Sequence, residues 1–168
     1  TDAAGNTTRY DYDLTENKTI ITNPDGGIVT RKFDANGLLL SEIDPLNHTR
    51  TYTYDSNRNR LTDTNALQQT SSYTYGTHGD LLTFTDPGGK TIRFTYNDFG
   101  VPLTTTDQLG NVQTVEYDEN ANPIKVTDAL GVRSTYTWDS SGNPLTITDA
   151  NGKITRWTYD AYGRIATR

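Results

Sequence analysis

Carboxylates return along this chain at a fixed interval, and they are the first residues to weigh for chemistry. Asp2, Asp86, Asp107, Asp128 and Asp149 each stand three residues ahead of a glycine, at Gly5, Gly89, Gly110, Gly131 and Gly152, and Asn23 precedes Gly26 in the same way. Repeated acids suggest calcium. That ion takes about six to eight oxygens, and its loops place acids at alternating positions, so one carboxylate per turn falls short. An Asx side chain that accepts the backbone N–H two residues on, ahead of a residue at positive φ, is instead what a tight reversal needs. The acids are assigned to turns, and no metal or cofactor is expected. His48 and His78 recur at no equivalent position, and the sequence suggests no partner that would make either a base or a ligand. Serines and threonines abound, yet no Gly-x-Ser-x-Gly elbow or nucleophile with an accompanying base stands out. No enzyme is expected. Aromatic rings able to stack on sugars are the remaining candidates, among them Tyr10, Tyr52, Tyr73, Tyr136 and Trp157.

The elements that must position these groups follow from one periodicity. An aromatic followed by Asp, as Tyr12-Asp13, returns every 21 residues as Phe33-Asp34, Tyr54-Asp55, Tyr117-Asp118, Trp138-Asp139 and Tyr159-Asp160, with Tyr75-Gly76 and Tyr96-Asn97 as softened copies. Eight units, 1–21, 22–42, 43–63, 64–84, 85–105, 106–126, 127–147 and 148–168, account for the whole sequence, which reads as one repeat array.

Composition narrows the classes. Only 32% of residues are hydrophobic, against about 45–50% in an ordinary domain, so the core must be thin and largely aromatic. A net charge of −6 argues against nucleic acid, whose electrostatic footprint is a surplus of Lys and Arg. The apolar residues never form a run long enough for a membrane-spanning helix. With no Cys, disulfides and Cys-based zinc sites are excluded, and the compartment stays open. The chain begins without Met and is expected to be a piece of something longer or an assembly of whole repeats.

Each unit reads as a β-hairpin. After the first turn comes a period-two segment, with Thr53 between Tyr52 and Tyr54, Thr74 between Tyr73 and Tyr75, and Thr137 between Tyr136 and Trp138. Positions 10 and 12 of the unit then share one face and hold every aromatic except Phe84, Phe99 and Tyr162. Positions 9 and 11, mostly Thr, Ser and charged residues, face the other way and are expected to be solvated. A second turn follows in Asp34 to Gly37, Asn97 to Gly100, Asp139 to Gly142 and Asp160 to Gly163, with Gly79 in the same place. The return arm carries Leu40, Leu61, Leu82, Leu103, Ile124 and Leu145 at position 19, read as sharing the aromatic face with position 21. Pro102, Pro123 and Pro144 at position 18 require a strand end or a bulge. Asn47 and Gln68 replace the first glycine, Arg58 and Ala121 the second, and Glu16 breaks the pattern in the first unit. The expected fold is all-β: an antiparallel meander of about eight hairpins in one curled sheet, its aromatic face hidden from water.

Tyr-Asp-x-x-Gly, followed by Thr-Asp-x-x-Gly and Thr-x-Tyr-x-Tyr-Asp, resembles the YD repeat of the Rhs family, found in bacterial polymorphic toxins, the Tc insecticidal toxin shell and teneurins. The resemblance covers the entire chain. It implies a hollow β-shell that encloses a toxin or effector domain, hence a non-catalytic wall segment of a secreted, exported or cell-surface bacterial protein. The partners so implied are the rest of the parent chain and the enclosed domain. Complete members also carry a self-cleaving aspartic-protease segment marked Asp-Pro-x-Gly; Asp86-Pro87-Gly88-Gly89 looks similar but occupies the ordinary turn slot that Asp128 to Gly131 fills two units on. The alternative is a cell-surface adhesion or carbohydrate-binding module, through the ladder rings or through Phe99 and Tyr162 in the turns. Burial of the rings would favour the container. Self-association through the terminal arms, Asn6 to Tyr12 and Arg164 to Arg168, is also expected.

Overall fold

The computed structural model describes residues 1–3 and 5–168, and these form strands and turns with no helix. The chain divides into two compact units, Thr1–Lys90 and Thr91–Arg168. In the first, β1 (Arg9–Asp13), β2 (Lys18–Thr22), β3 (Ile28–Phe33), β4 (Leu39–Ile43), β5 (Thr49–Tyr54), β6 (Arg60–Thr64), β7 (Thr70–Tyr75) and β8 (Leu81–Thr85) each pair antiparallel with the next. The second repeats this meander with β9 (Thr91–Tyr96), β10 (Pro102–Thr106), β11 (Val112–Tyr117), β12 (Pro123–Thr127), β13 (Arg133–Trp138), β14 (Pro144–Thr148) and β15 (Ile154–Arg156). A short separate hairpin, β16 (Thr158–Tyr159) and β17 (Ile165–Thr167), ends the chain. The aromatic arm of the last repeat is thus divided at Trp157, whose N–H donates to the Leu145 carbonyl at 2.9 Å.

Both turns of the repeat are built alike. In the turn that starts at Asp139, its N–H donates to the Asn143 carbonyl, the Gly142 N–H donates to the Asp139 carbonyl, and one carboxylate oxygen accepts from the N–H groups of Ser141 and Asn143. The other oxygen accepts from the Asn143 side-chain amide at 2.9 Å. Five consecutive residues thereby lose most of their unpaired backbone groups, which is why Asx recurs at the first place and Gly at the fourth. Where glycine is missing the backbone is left-handed all the same: Asn47, Arg58, Gln68 and Ala121 have φ of 64°, 69°, 62° and 61°. In the first repeat the positive φ falls one residue late, on Asn17 at 49°.

The ladders carry one feature that period-two reading does not contain. From the second repeat onward, each hairpin shifts register beside its second turn, as between Lys32/Phe33, Thr53/Tyr54 and Thr74/Tyr75 in the first unit and Glu116/Tyr117 and Thr137/Trp138 in the second. The return arm holds one extra residue, a β-bulge. Tyr54, Tyr117 and Trp138 therefore stand opposite position 18, at Arg60, Pro123 and Pro144, and Leu61, Ile124 and Leu145 at position 19 are the unpaired extra residues. Position 19 faces position 12 only in the first hairpin, where Tyr12 pairs with Thr19 without a shift. Pro102, Pro123 and Pro144 open their strands beside the bulge, where no ladder needs their missing N–H.

Candidate functional site

Cross-strand partners share a face. Tyr10 stands opposite Ile21, Tyr52 opposite Asp63, Tyr73 opposite Phe84, Val115 opposite Val126 and Tyr136 opposite Ile147, which defines one aromatic-aliphatic face in each unit. The other face pairs threonines: Thr53 with Thr62, Thr74 with Thr83, Thr95 with Thr104 and Thr137 with Thr146, their hydroxyls 2.6–2.7 Å apart. Lys125 and Glu116 replace one such pair with an ion pair at 2.5 Å.

The rings of the aromatic face are half-buried, not buried, and this corrects the expectation of a dry interior. Among the described residues only Ile21, 8% exposed, is a buried apolar side chain, and Tyr10 and Tyr12 are 54% and 69% exposed. The physical reason is that each unit is a single layer of strands. In-plane neighbours cover the flanks of a ring, and only a second layer would cover its outer surface.

The aromatic of the signature does more than fill space. Tyr54 donates its hydroxyl to the Leu39 carbonyl, Tyr75 to the Arg60 carbonyl and Tyr159 to the Pro144 carbonyl, and the Trp138 indole N–H donates to the Pro123 carbonyl, at 2.8–3.0 Å. Each acceptor lies fifteen residues back, at the bulge of the preceding hairpin. The polar tip thus fastens one repeat to the one before. Phe33 has no such tip.

The acids of the signature serve the turns. N–H donors from Leu38 and Asn36 hold the Asp34 carboxyl below the usual carboxylate range, and Asn59 side-chain and backbone donors do the same for Asp55. Asp107, Asp118, Asp139 and Asp160 are lowered by the equivalent donors of Asn111, Asn122, Asn143 and Arg164. Among the described residues, no three His, Asp or Glu side chains converge as a metal site would require. His48 Nδ1 lies 2.9 Å from Asp44 Oδ2 within one exposed turn, and His78 Nδ1 lies 3.4 Å from the Thr77 hydroxyl in another. Asp86 accepts from the Lys90 N–H, and the Gly89 N–H donates to the Asp86 carbonyl, so the Asp-Pro-Gly-Gly segment has the same backbone frame as its neighbours.

The pattern of repeats did not foretell one cluster. On β3 to β7 the aromatic face turns charged. Arg31 stands opposite Glu42 and donates to it at 2.6 Å, and Glu42 stands opposite Arg50 on its other side. Arg50 grips Asp63 through two nitrogens, Nε at 2.6 Å and Nη2. Asp63 is 7% exposed and its carboxyl is held low by Arg50, whose guanidinium is pushed up in turn. Arg60 lies with its guanidinium carbon 5.9 Å from the centre of the Tyr52 ring and 4.9 Å from that of Tyr73, and it donates to the Tyr73 hydroxyl at 3.2 Å. A signal existed in the sequence: Arg31 stands where the other repeats hold an aromatic or Val115, and Glu42 and Asp63 stand where Ile21, Phe84, Val126 and Ile147 do.

Hairpins of one size, closed by Asx-Gly reversals and fastened by aromatic tips, define a structural β-repeat protein. The chain belongs to the teneurin YD-shell family, whose model matches residues 4–127. The RHS repeat model matches 117–154 and 138–168. Two crystal structures of TcdB2-TccC3 share the fold: one at a TM-score of 0.68 and 16% identity over 92% of this chain, the other, without its hypervariable C-terminal region, at 0.53 and 15% over 94%. The chain spans 11% and 12% of the length of those two chains. No curated protein matches it.

Proposed function

We propose that the eight units act as one array and form part of the wall of a β-shell that encloses a toxin or effector domain of the same parent protein. In this reading the aromatic face turns inward, and the segment itself is non-catalytic. The observation that supports it most directly is the match of residues 4–127 to the teneurin YD-shell model, and with it goes an aromatic face whose rings are partly buried by their own layer beyond the first hairpin and open on their outer surface. Apolar rings left open on one face of a sheet mark a place where something else packs. The opposite face, paired threonines and ion pairs, suits water. Export from the cell belongs to the same reading, by way of the family. The test is photo-crosslinking in the parent protein, with a benzophenone amino acid at Tyr52 or Tyr136 on one face and at Thr53 or Thr137 on the other. Crosslinks to an internal domain from the aromatic positions alone are expected; equal crosslinking from both faces, or none from the aromatic one, would refute the enclosure.

A second reading, glycan binding, is favoured by Phe99 and Tyr162, 91% and 84% exposed at turn tips. Glycan-array binding that Phe99→Ala or Tyr162→Ala abolishes would establish it.

A further inference from the structure

The charged cluster breaks the rule of its own face. Strands β9 to β15 of the second unit place no charged residue on the aromatic face: the positions in register with Phe94, Val115 and Tyr136 are Thr105, Val126 and Ile147. In the first unit the same face carries three guanidiniums and two carboxylates. Their depths differ in a telling way. The carboxylates are the covered members, Glu42 at 31% and Asp63 at 7% side-chain exposure, and the guanidiniums are the open ones, Arg31 at 43%, Arg50 at 54% and Arg60 at 40%. A chain of net charge −6 thus presents a cationic outer layer at one place on its aromatic face.

Within that layer Arg31 and Arg50 hydrogen-bond to carboxylates, and Arg60 makes a longer ion pair, its Nη1 3.5 Å from Asp63 Oδ2, so that three guanidiniums share two carboxylates. The hydrogen bond of Arg60 goes from Nη2 to the Tyr73 hydroxyl. Set against two tyrosine faces, a guanidinium is held in place by cation–π attraction, and the hydrogen bond to Tyr73 uses one of its five N–H groups. A planar fork held in that manner suits bidentate capture of a carboxylate.

We propose that Arg60, framed by Tyr52 and Tyr73 and steadied by the Asp63–Arg50 pair, is a docking site for an acidic polypeptide segment lying along the aromatic face of β3 to β7, with a side-chain carboxylate on the Arg60 fork. The proposal rests on the reading of the aromatic face as a contact face and adds what that face recognises. Most of the array offers apolar contact without sequence preference, and this site selects Glu or Asp and sets the position of the segment.

The probe is a fluorophore-labelled hexaglutamate peptide, N-acetylated and C-amidated, titrated with the 168-residue chain at low ionic strength and followed by anisotropy, with hexaglutamine as the neutral control. Expected are binding of hexaglutamate at least tenfold tighter than hexaglutamine, and loss of most of that preference in Arg60→Gln. Lys125→Gln, which removes a cation from the threonine face, is expected to keep it. Arg60→Lys retains the charge without the fork and is expected to fall between. Circular dichroism of each variant guards against misfolding, and if Arg60→Gln unfolds, the Arg60→Lys result decides. Equal affinity for both peptides, or equal loss in Arg60→Gln and Lys125→Gln, overturns the proposal. Such a failure would leave the crosslinking test of enclosure untouched, because that test reads contact and not charge preference.

Discussion

A substitution series at Gly131 isolates what the turns contribute. Its φ is +78°, and a Cβ added there would meet nothing within 4 Å, so the cost of a side chain is conformational and not a clash. Left-handed backbone costs an L-residue roughly 1–2 kcal/mol relative to glycine. Against this, replacing glycine by alanine removes about 0.4–1 kcal/mol of unfolded-state entropy. Gly131→Ala is therefore expected to destabilise by about 0.5–1 kcal/mol. Gly131→Val, β-branched, should lose about 2 kcal/mol, whereas Asn, which tolerates this region, should cost only a few tenths. The chain sets its own precedent at equivalent turn places, where Asn47, Gln68, Arg58 and Ala121 sit at φ of 61–69° while glycines lie at 74–87°. Urea unfolding, with hydrogen exchange at the Leu130 and Val132 amides that donate to Asp128, reads both the global and the local loss. The order Asn, Ala, Val in rising cost is expected. Midpoints that do not change for Val, or a series in which Asn is worst, would refute the assignment of the cost to φ.

Other predictions concern the fastenings and the carboxylates. Tyr75→Phe removes the hydrogen bond to the Arg60 carbonyl and should cost about 1 kcal/mol in urea unfolding, while Tyr12→Phe, 69% exposed at its ring, should cost almost nothing. The turn carboxyls of Asp34, Asp55, Asp118, Asp139 and Asp160 have folded pKa values below their unfolded ones, so their contribution is fully present above about pH 4 and is lost as pH falls through the folded values. An acid titration by circular dichroism should be flat from pH 8 to 5 and fall below 4; loss of structure on the alkaline side of that range would contradict the sign. Asp139→Asn keeps the oxygen that accepts from the turn N–H groups, as Asn97 does in its own turn, but replaces the oxygen that accepts from the Asn143 amide, so it should be less stable than the wild type at pH 7 and lose less on acidification. Asp63→Ala breaks the pair with Arg50; because that guanidinium is half-exposed, about 1–2 kcal/mol is expected, well under the cost of cutting a fully buried pair.

Much of the architecture was legible because the repeat states its rules eight times over. The alternation around Thr53, Thr74 and Thr137 gave the strands, and the Asx-x-x-Gly spacing gave both turns down to the residues at positive φ. Pro123 and Pro144 hinted at the bulge without locating it, since a missing N–H says where a ladder is broken and not which residue is extra. The Tyr54 and Trp138 fastenings depend on a carbonyl in another repeat, a relation that no periodicity expresses. Ring burial was overestimated because strand patterning identifies a face but cannot supply the second layer that would bury it. Arg31, Glu42 and Asp63 were written in the sequence as exceptions that averaging over repeats hid, whereas Arg50 stands at a position that is polar in most repeats and carried no signal.

The bulge has a consequence for how such a chain can change length. Because each hairpin after the first contains its own extra residue beside its own turn, the offset is absorbed locally and is never handed to the next strand. Duplicating or losing 63 nucleotides would insert or remove one self-contained tile and leave every surviving pair in step, whereas losing the single codon of Leu145 would turn part of an arm over. Growth by whole tiles is therefore the path of least disruption for a gene of this design.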